Sequence, residues 1–318
     1  MNYQLLANLE NWLGQQIVGQ QDLIHKLMLA LLANGHLLVE GAPGLAKTRA
    51  IKEMAEGIEG SFHRIQFTPD LLPGDITGTD IFRPQTGAFE FQQGPIFNNL
   101  VLADEINRAP AKVQSALLEA MAERQVSIGS QTYELPALFL VMATQNPIEQ
   151  EGTYPLPEAQ LDRFLMHVRV SYPDAGAEQA ILRLARSEAG GTHSRPEGTV
   201  SQADIFSARK AVLDIHMAPA VEEYIIQLIV GTREPDHYDS ELAGWLEYGA
   251  SPRATIALDR CARANAWIAG RDYVSPDDVQ AVALDCLRHR LIVSFEAEAS
   301  GVTSDQIIER LIEHIPVA

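Results

Sequence analysis

Short apolar runs alternate with helix-like segments over the first half of the chain, whereas the second half has helical periodicity almost throughout. Five apolar runs with the length of buried strands lie at residues 36–40, 62–67, 100–103, 138–143 and 165–170. Helical segments between these runs imply crossover connections, which produce a parallel sheet covered on both faces. We therefore predict an α/β unit with a five-stranded parallel sheet over residues 1–171 and an all-helical unit over residues 172–318.

Two segments of alternating apolar and polar residues interrupt this α/β arrangement. Residues 81–91 and residues 125–135 each place two such runs on either side of a glycine-containing turn. That pattern predicts an inserted β-hairpin in each case. A hairpin of this kind is either a surface feature without a role or an element that contacts a partner.

A glycine-rich segment follows the first predicted strand and precedes a helix-forming stretch: Gly41-Ala42-Pro43-Gly44-Leu45-Ala46-Lys47-Thr48. Backbone N–H groups of such a turn, together with the N-terminus of the following helix, form a site for polyphosphate. In this pattern the Lys47 ammonium reaches the β- and γ-phosphates, and the Thr48 hydroxyl binds Mg²⁺. The glycine that usually precedes the lysine is replaced by Ala46, whose methyl group is tolerated if its φ stays negative.

A pair of carboxylates, Asp104 and Glu105, ends the third predicted strand. Open α/β sheets bind ligands at the carboxyl ends of their strands, so this pair and the glycine-rich segment are expected at one edge. Asp104 would hold Mg²⁺ directly or through water, and Glu105 would polarise the water that attacks the γ-phosphate. Taken alone, such a pair is usually a helix cap or a solvated turn. Combined with the lysine loop, it indicates a nucleotide site.

Three further side chains are candidates for contact with the γ-phosphate. Asn146 follows the fourth strand and would orient the attacking water, although an Asn-Pro pair is also a common turn. Arg163 precedes the fifth strand, where it either pairs with a nearby acid or reaches across a subunit boundary. Arg253 follows a Ser-Pro helix start in the helical unit, so it is either an exposed arginine or a ligand of the γ-phosphate when the two units close.

The formal net charge of −18 argues against a broad nucleic-acid surface and favours a protein partner. The two cysteines, Cys261 and Cys286, lie in helical stretches away from histidines at metal-ligand spacing, which predicts reduced buried thiols. The chain has no apolar run of the length needed to cross a bilayer and no N-terminal signal pattern, so we expect a cytoplasmic protein.

Together these motifs resemble the AAA+ ATPases, and within them the MoxR family, whose phosphate loop commonly carries an alanine at the position of Ala46. The resemblance covers nearly the whole chain and includes residues 104–110, 143–147 and 158–164 as well as the phosphate loop. It implies ATP and Mg²⁺ as cofactors, a fold with an AAA+ core and a helical lid, and an adenine pocket lined by Val18 and Gly19.

The same resemblance assigns roles to the candidate polar residues. It implies that Asn146 is the sensor 1 residue, that Arg163 is an arginine finger acting on the nucleotide of a neighbouring subunit, and that Arg253 is the sensor 2 residue of the lid. The hairpin at residues 81–91 corresponds to the helix 2 insert of this clade.

The family also implies ATP-driven rings, usually hexamers, with chaperone-like activity in remodelling, maturation or metal-cofactor insertion. Their partners are often proteins with a von Willebrand factor A domain. One alternative is a DNA-remodelling motor of the same clade, but Glu90 and Glu134 oppose the arginines Arg83 and Arg124 near the hairpins. A second alternative is a nucleotide-dependent binding switch with negligible turnover.

Overall fold

The computed structural model describes residues 2–85, 87–147, 152–191, 195–196 and 198–317. In chain order the strands are β1 (Leu37–Gly41), β2 (Phe62–Gln66), β3 (Gly78–Arg83), β4 (Ala88–Gln93), β5 (Leu100–Asp104), β6 (Gln125–Ile128), β7 (Gln131–Glu134), β8 (Leu140–Gln145), β9 (Met166–Val170), β10 (Leu246–Tyr248) and β11 (Ile292–Val293). The α-helices are α1 (Asn2–Gln16), α2 (Gln21–Leu32), α3 (Lys47–Gly57), α4 (Pro73–Thr77), α5 (Ala111–Glu123), α6 (Glu158–Leu161), α7 (Ala175–Ala189), α8 (Gln202–Leu213), α9 (Pro219–Arg233), α10 (Ser240–Trp245), α11 (Pro252–Ile268), α12 (Pro276–Leu287), α13 (Phe295–Ala299) and α14 (Ser304–His314).

The central sheet has five strands in the order β2-β5-β8-β1-β9. All neighbouring strands in it are parallel, so the predicted five-stranded parallel sheet is confirmed. Successive residues of a strand face opposite sides, and along β5 Leu100 and Leu102 enter one hydrophobic cluster while Val101 and Ala103 enter the other. Both faces are therefore buried, and the carboxyl ends of all five strands lie along one edge.

Both predicted hairpins are confirmed. Strands β3 and β4 pair antiparallel, as do β6 and β7. Phe91 of the first hairpin stacks on Tyr133 of the second, with ring centroids 4.0 Å apart, so the two hairpins contact each other. Phe82 and Phe89 form a second aromatic pair on the first hairpin, and their exposed fractions are 51% and 71%. Aromatic rings this exposed leave apolar area open to a partner.

The second half of the chain is mainly helical but not entirely so. Strands β10 and β11 form a short antiparallel ribbon that the helical periodicity did not predict. A run as short as Leu246–Tyr248 contains too few positions to establish an alternating pattern. Helices α11 and α12 pack together and carry the two cysteines, both free and fully buried, as the sequence predicted.

The helices after residue 200 pack on the N-terminal helices as well as on the sheet. Arg209 on α8 donates through Nε to the carbonyl of Leu31 at 2.8 Å. Lys26 on α2 forms an ion pair of 2.8 Å with Asp285 on α12, and both side chains are almost fully buried. The two halves thus share one continuous hydrophobic core. None of the helices in the described part of the chain is long and apolar enough to cross a membrane.

Candidate nucleotide site

A cleft of about 390 Å³ opens at the carboxyl edge of the central sheet. Its lining comprises residues 43–49, Arg64, Asp104, Glu105, Thr144 and Asn146. The phosphate loop follows β1, the carboxylates follow β5 and the amide follows β8, and these three strands are adjacent in the sheet. The topology therefore brings together residues that are up to about a hundred positions apart in the sequence.

The phosphate loop contains two residues with left-handed backbone conformation. Gly44 has a φ of +83°, which glycine adopts without cost. Ala46, immediately before α3, has a φ of +57° and a ψ of 15°. The condition for tolerating its methyl group, a negative φ, is therefore not met, because the turn into α3 has a left-handed residue at this point. For an L-residue this conformation costs roughly 1–2 kcal/mol.

The Lys47 ammonium folds back over the loop. It donates to the carbonyl of Gly41 and, at 3.3 Å, to the carbonyl of Gln145 at the end of β8. Burial lowers the pKa of Lys47, and the carboxylates of Asp104 and Glu105 partly offset that shift. Lys47 therefore joins the loop to the neighbouring strand at the place where the predicted phosphates bind.

Asp104 is only 8% exposed, and both of its carboxylate oxygens accept hydrogen bonds. The Thr144 hydroxyl donates to Oδ1 at 2.6 Å, and the Arg64 guanidinium donates to Oδ2 at 2.7 and 3.0 Å. Sequence reasoning missed Arg64 and Thr144. The residue types carried no signal of this contact, which depends on β2 and β8 lying on either side of β5.

Thr48 and Asp104 line the same cleft and fit a Mg²⁺ site. Among the described residues, no group of three or more His, Cys, Asp or Glu side chains could hold a metal ion by itself. Mg²⁺ in nucleotide sites takes one or two protein oxygens and completes its shell with phosphate oxygens and water, so Asp104 would hold the ion directly or through water.

Glu105 also has a left-handed backbone, with a φ of +57°. Its Oε2 accepts from Gln66 Nε2 at 2.8 Å and from Arg108 Nη1 at 3.1 Å, and its N–H donates to the Thr144 hydroxyl at 2.9 Å. Strained backbone of this kind persists only where the surroundings fix it. A general base must accept a proton from water, so Gln66 and Arg108 compete with water for this oxygen.

Asn146 lies in the same cleft and is 6% exposed. It follows β8 directly, so its amide is held at the edge of the sheet beside the carboxylates. Asn146 therefore shares a cleft with the carboxylates and the phosphate loop, and its contact with the attacking water or the γ-phosphate stays a prediction.

A second cavity, of about 250 Å³, adjoins the phosphate loop on the side of α7. Val18 lines it together with apolar side chains of Ile17, Tyr172, Ile181 and Leu184. Gly19 is not among the described residues that line this cavity; its φ is +81°, and a methyl group there would come within 2.9 Å of the Ala177 Cβ. A mainly apolar slot beside a phosphate loop suits a flat heteroaromatic ring.

Arg163 and Arg253 lie at the opposite edge of the sheet. Both line a third cavity, of about 330 Å³, beside the start of β1 at Gly35 and His36. Arg253 Nη1 is 3.5 Å from Asp162 Oδ2, and the Ser251 hydroxyl donates to the same oxygen at 2.8 Å. Asp162 thus fixes the start of α11 next to Arg163.

This position separates both arginines from the phosphate loop of their own chain. Strand β1 has five residues, and at about 3.3 Å per residue it spans about 16 Å between the two edges. The structure therefore does not bring Arg253 to the nucleotide cleft, although the sequence analysis expected it there on closure of the two units. Helical periodicity predicted where α11 begins but not where it docks.

The sheet order, the glycine-rich loop after β1 and the carboxylates after β5 define a P-loop nucleotide-binding protein. A family model described as "ATPase family associated with various cellular activities (AAA)" matches residues 36–166, and an AAA lid domain model matches residues 243–311.

Two relatives and one solved structure are similar over most of this chain. Chaperone MoxR1 of Mycobacterium tuberculosis is 45% identical over 94% of this chain and 78% of its own length. Protein MoxR of Methylorubrum extorquens is 31% identical over 98% of this chain and 94% of its own. The crystal structure of a candidate ATPase from Cytophaga hutchinsonii has a TM-score of 0.92 at 45% identity, covering 100% of this chain and 96% of that one. The chain belongs to the MoxR family of AAA ATPases.

Proposed function

We propose that this protein hydrolyses ATP at the subunit interfaces of a homo-oligomeric ring, with six subunits as the expected number, and uses the cycle to remodel a partner protein. The observation that carries the proposal is the separation of the site residues. The phosphate loop and carboxylates lie at one edge of the sheet, and Arg163 and Arg253 lie at the other. A second subunit must therefore supply the arginines.

Within one subunit, the proposed binding residues are the loop of residues 41–48 for the phosphates and Val18 with Gly19 for the adenine. Bound Mg²⁺, near Thr48 and Asp104, would neutralise charge on the phosphates. Glu105 would accept the proton of the attacking water after releasing Gln66, and Asn146 would orient that water. These roles are supported by the common cleft and by the buried carboxylate of Asp104.

The adjoining subunit would contribute Arg163 and Arg253 to the γ-phosphate. Arg163 lines the open cavity, and its Nε has no hydrogen-bond partner among the described residues, which supports a role for this guanidinium in binding an anion. Arginine fingers contribute about 10³ to 10⁵ in rate in other nucleotide hydrolases. An isolated subunit is therefore expected to turn over very slowly.

The partner is proposed to be a protein, with a von Willebrand factor A domain protein or a maturing enzyme complex as the expected class. The name of the tuberculosis relative, a chaperone, supports this choice, and so do the exposed Phe82 and Phe89 of the first hairpin. Within this proposal, residues 1–171 form the nucleotide-binding core and residues 172–318 form the lid. Two buried, unpaired cysteines support residence in the reducing cytoplasm.

The test is phosphate release measured over a wide range of protein concentrations. Turnover per subunit should rise steeply where rings form, as followed in parallel by sedimentation. Lys47→Ala should abolish ATP binding, and Glu105→Gln should bind ATP without hydrolysing it. Equal turnover per subunit at all concentrations, from monomer to ring, would show that the site is complete within one chain.

A further inference from the structure

The cavity that contains Arg163 and Arg253 concentrates positive charge in an acidic protein. Five arginines line it: Arg124, Arg163, Arg253, Arg260 and Arg290. Among the residues that the structure describes, Asp162 supplies the one carboxylate in its lining. The chain as a whole has a formal net charge of −18, so this local excess of guanidinium groups runs against its composition.

Asp162 cannot neutralise this group of arginines. Its Oδ1 accepts from Arg290 Nε at 2.8 Å, and its Oδ2 accepts from the Ser251 hydroxyl at 2.8 Å. Arg290 is almost fully buried and also donates to the carbonyls of Phe164 and Leu165, so it has a structural role. The carboxylate is therefore already used by neighbouring donors.

Arg124 and Arg260 have no acidic partner within the described part of the chain. Arg124 donates to the Asn34 side chain at 2.7 Å and to the carbonyl of Ala137 at 3.4 Å, which are both uncharged. Burial and the nearby Arg260 guanidinium lower the pKa of Arg124. Arg260 is exposed and lies on the same face of α11 as Arg253 and Ile256, which also line the cavity. Two guanidinium groups held near each other repel, and this repulsion favours the binding of an anion.

We infer that Arg124 and Arg260 extend the arginine pair, so that the cavity binds the phosphate chain of the nucleotide held by the adjoining subunit. The inference rests on the proposed function, because that chain reaches the cavity only when two subunits meet. Arg163 and Arg253 would contact the γ-phosphate. Arg124 and Arg260 would make the interface more stable when the neighbour holds a triphosphate than when it holds ADP.

The deciding variant is Arg260→Gln, because this exposed side chain has no contact that folding requires. Assembly is measured by sedimentation velocity over a range of protein concentrations, with either the non-hydrolysable analogue AMP-PNP or ADP, each with Mg²⁺. In the presence of AMP-PNP, the protein concentration at which half of the Arg260→Gln subunits are assembled should be about tenfold higher than for the wild type, as expected for the loss of one charged hydrogen bond. In ADP it should change little. Arg260→Lys, which keeps the charge, should recover most of the loss.

Lys210→Gln is the matched control, since it removes one positive charge from an exposed position on α8 outside the cavity. It should assemble like the wild type in both nucleotides. Arg124→Gln should act like Arg260→Gln, with thermal unfolding used to check the loss of its bond to Asn34.

Two results would overturn the inference in distinguishable ways. If the wild type assembles more tightly in AMP-PNP than in ADP and Arg260→Gln keeps that difference, the extended site is wrong while the proposed function stands. If the wild type forms rings equally well in AMP-PNP and in ADP, the inference is wrong while the proposed function stands; if it forms no assembly in either nucleotide, the proposed function fails and the inference fails with it.

Discussion

Gly19→Ala tests the wall of the proposed adenine pocket. At this position φ is +81°, and an added methyl group would lie 2.9 Å from the Ala177 Cβ and 3.0 Å from the Pro173 Cβ. The left-handed backbone costs roughly 1–2 kcal/mol for alanine, and overpacking of this kind costs roughly 1–3 kcal/mol more. Alanine also lowers the conformational entropy of the unfolded chain, which stabilises the folded state by roughly 0.4–1 kcal/mol. We expect a net loss of roughly 1–5 kcal/mol in the free energy of unfolding.

The same substitution should also weaken ATP binding. To relieve the contact, the segment from Pro173 to Ala177 must move, and α7, which begins there, carries Ile181 and Leu184 in the wall opposite Val18. A displaced wall loses contact with the base, and about 1.4 kcal/mol of lost contact corresponds to a tenfold rise in Kd. Urea unfolding measures the stability, and titration calorimetry with ATP measures the Kd.

Gly14→Ala is the matched control for this prediction. Gly14 lies within α1, and a methyl group there would have no atom within 4 Å. Alanine in a helix is more stable than glycine by roughly 0.5–1 kcal/mol, so this variant should unfold at higher urea with an unchanged Kd. If Gly19→Ala matched the wild type in both stability and Kd, the assignment of this wall to the nucleotide pocket would be wrong.

Three other variants test separate parts of the account. Ala46→Gly should relieve the backbone strain of a φ of +57° and, after the entropy cost of glycine, raise the free energy of unfolding by up to roughly 1 kcal/mol. A lower free energy of unfolding in urea would contradict that strain. Gln66→Ala should release Glu105 Oε2 and raise phosphate release roughly two- to tenfold, whereas a drop would mean that Gln66 holds the base in its working position. Partial burial lowers the pKa of His25, but hydrogen bonds to Glu10 and Asn265 raise that pKa above 6.5 overall. The charged form is thus stabilised by folding, so the stability advantage of the wild type over His25→Gln should be complete well below pH 6.5 and shrink as the pH rises through the raised folded-state pKa; an advantage in urea unfolding that does not change with pH would refute it.

The sequence was sufficient to predict the sheet and the part of the candidate site that lies within one chain, because both depend on local patterns. Apolar runs of strand length predicted both ends of every strand in the sheet to within two residues. Lys47, Asp104 and Asn146 each come within seven residues of the end of such a run, so the carboxyl-edge rule predicts that they share one cleft.

The contacts that the sequence did not predict all depend on packing between distant segments. Arg64 and Gln66 lie on β2, an edge strand with several exposed positions, and only the strand order places them beside Asp104 and Glu105. Likewise, Arg253 lies next to Arg163 only because Ser251 bonds to Asp162, 89 positions away. No periodicity encodes such a pair.

The most direct measurement of the central claim is ATP hydrolysis by mixed rings of two inactive variants. Arg163→Ala subunits keep a complete loop but lack the arginine, and Lys47→Ala subunits keep the arginine but lack a working loop. Each alone should be inactive, whereas an equal mixture should recover about a quarter of the wild-type rate, because random assembly pairs the two in the productive order at that fraction of interfaces. An inactive mixture, with mixed rings confirmed by mass spectrometry, would contradict a catalytic site shared between subunits.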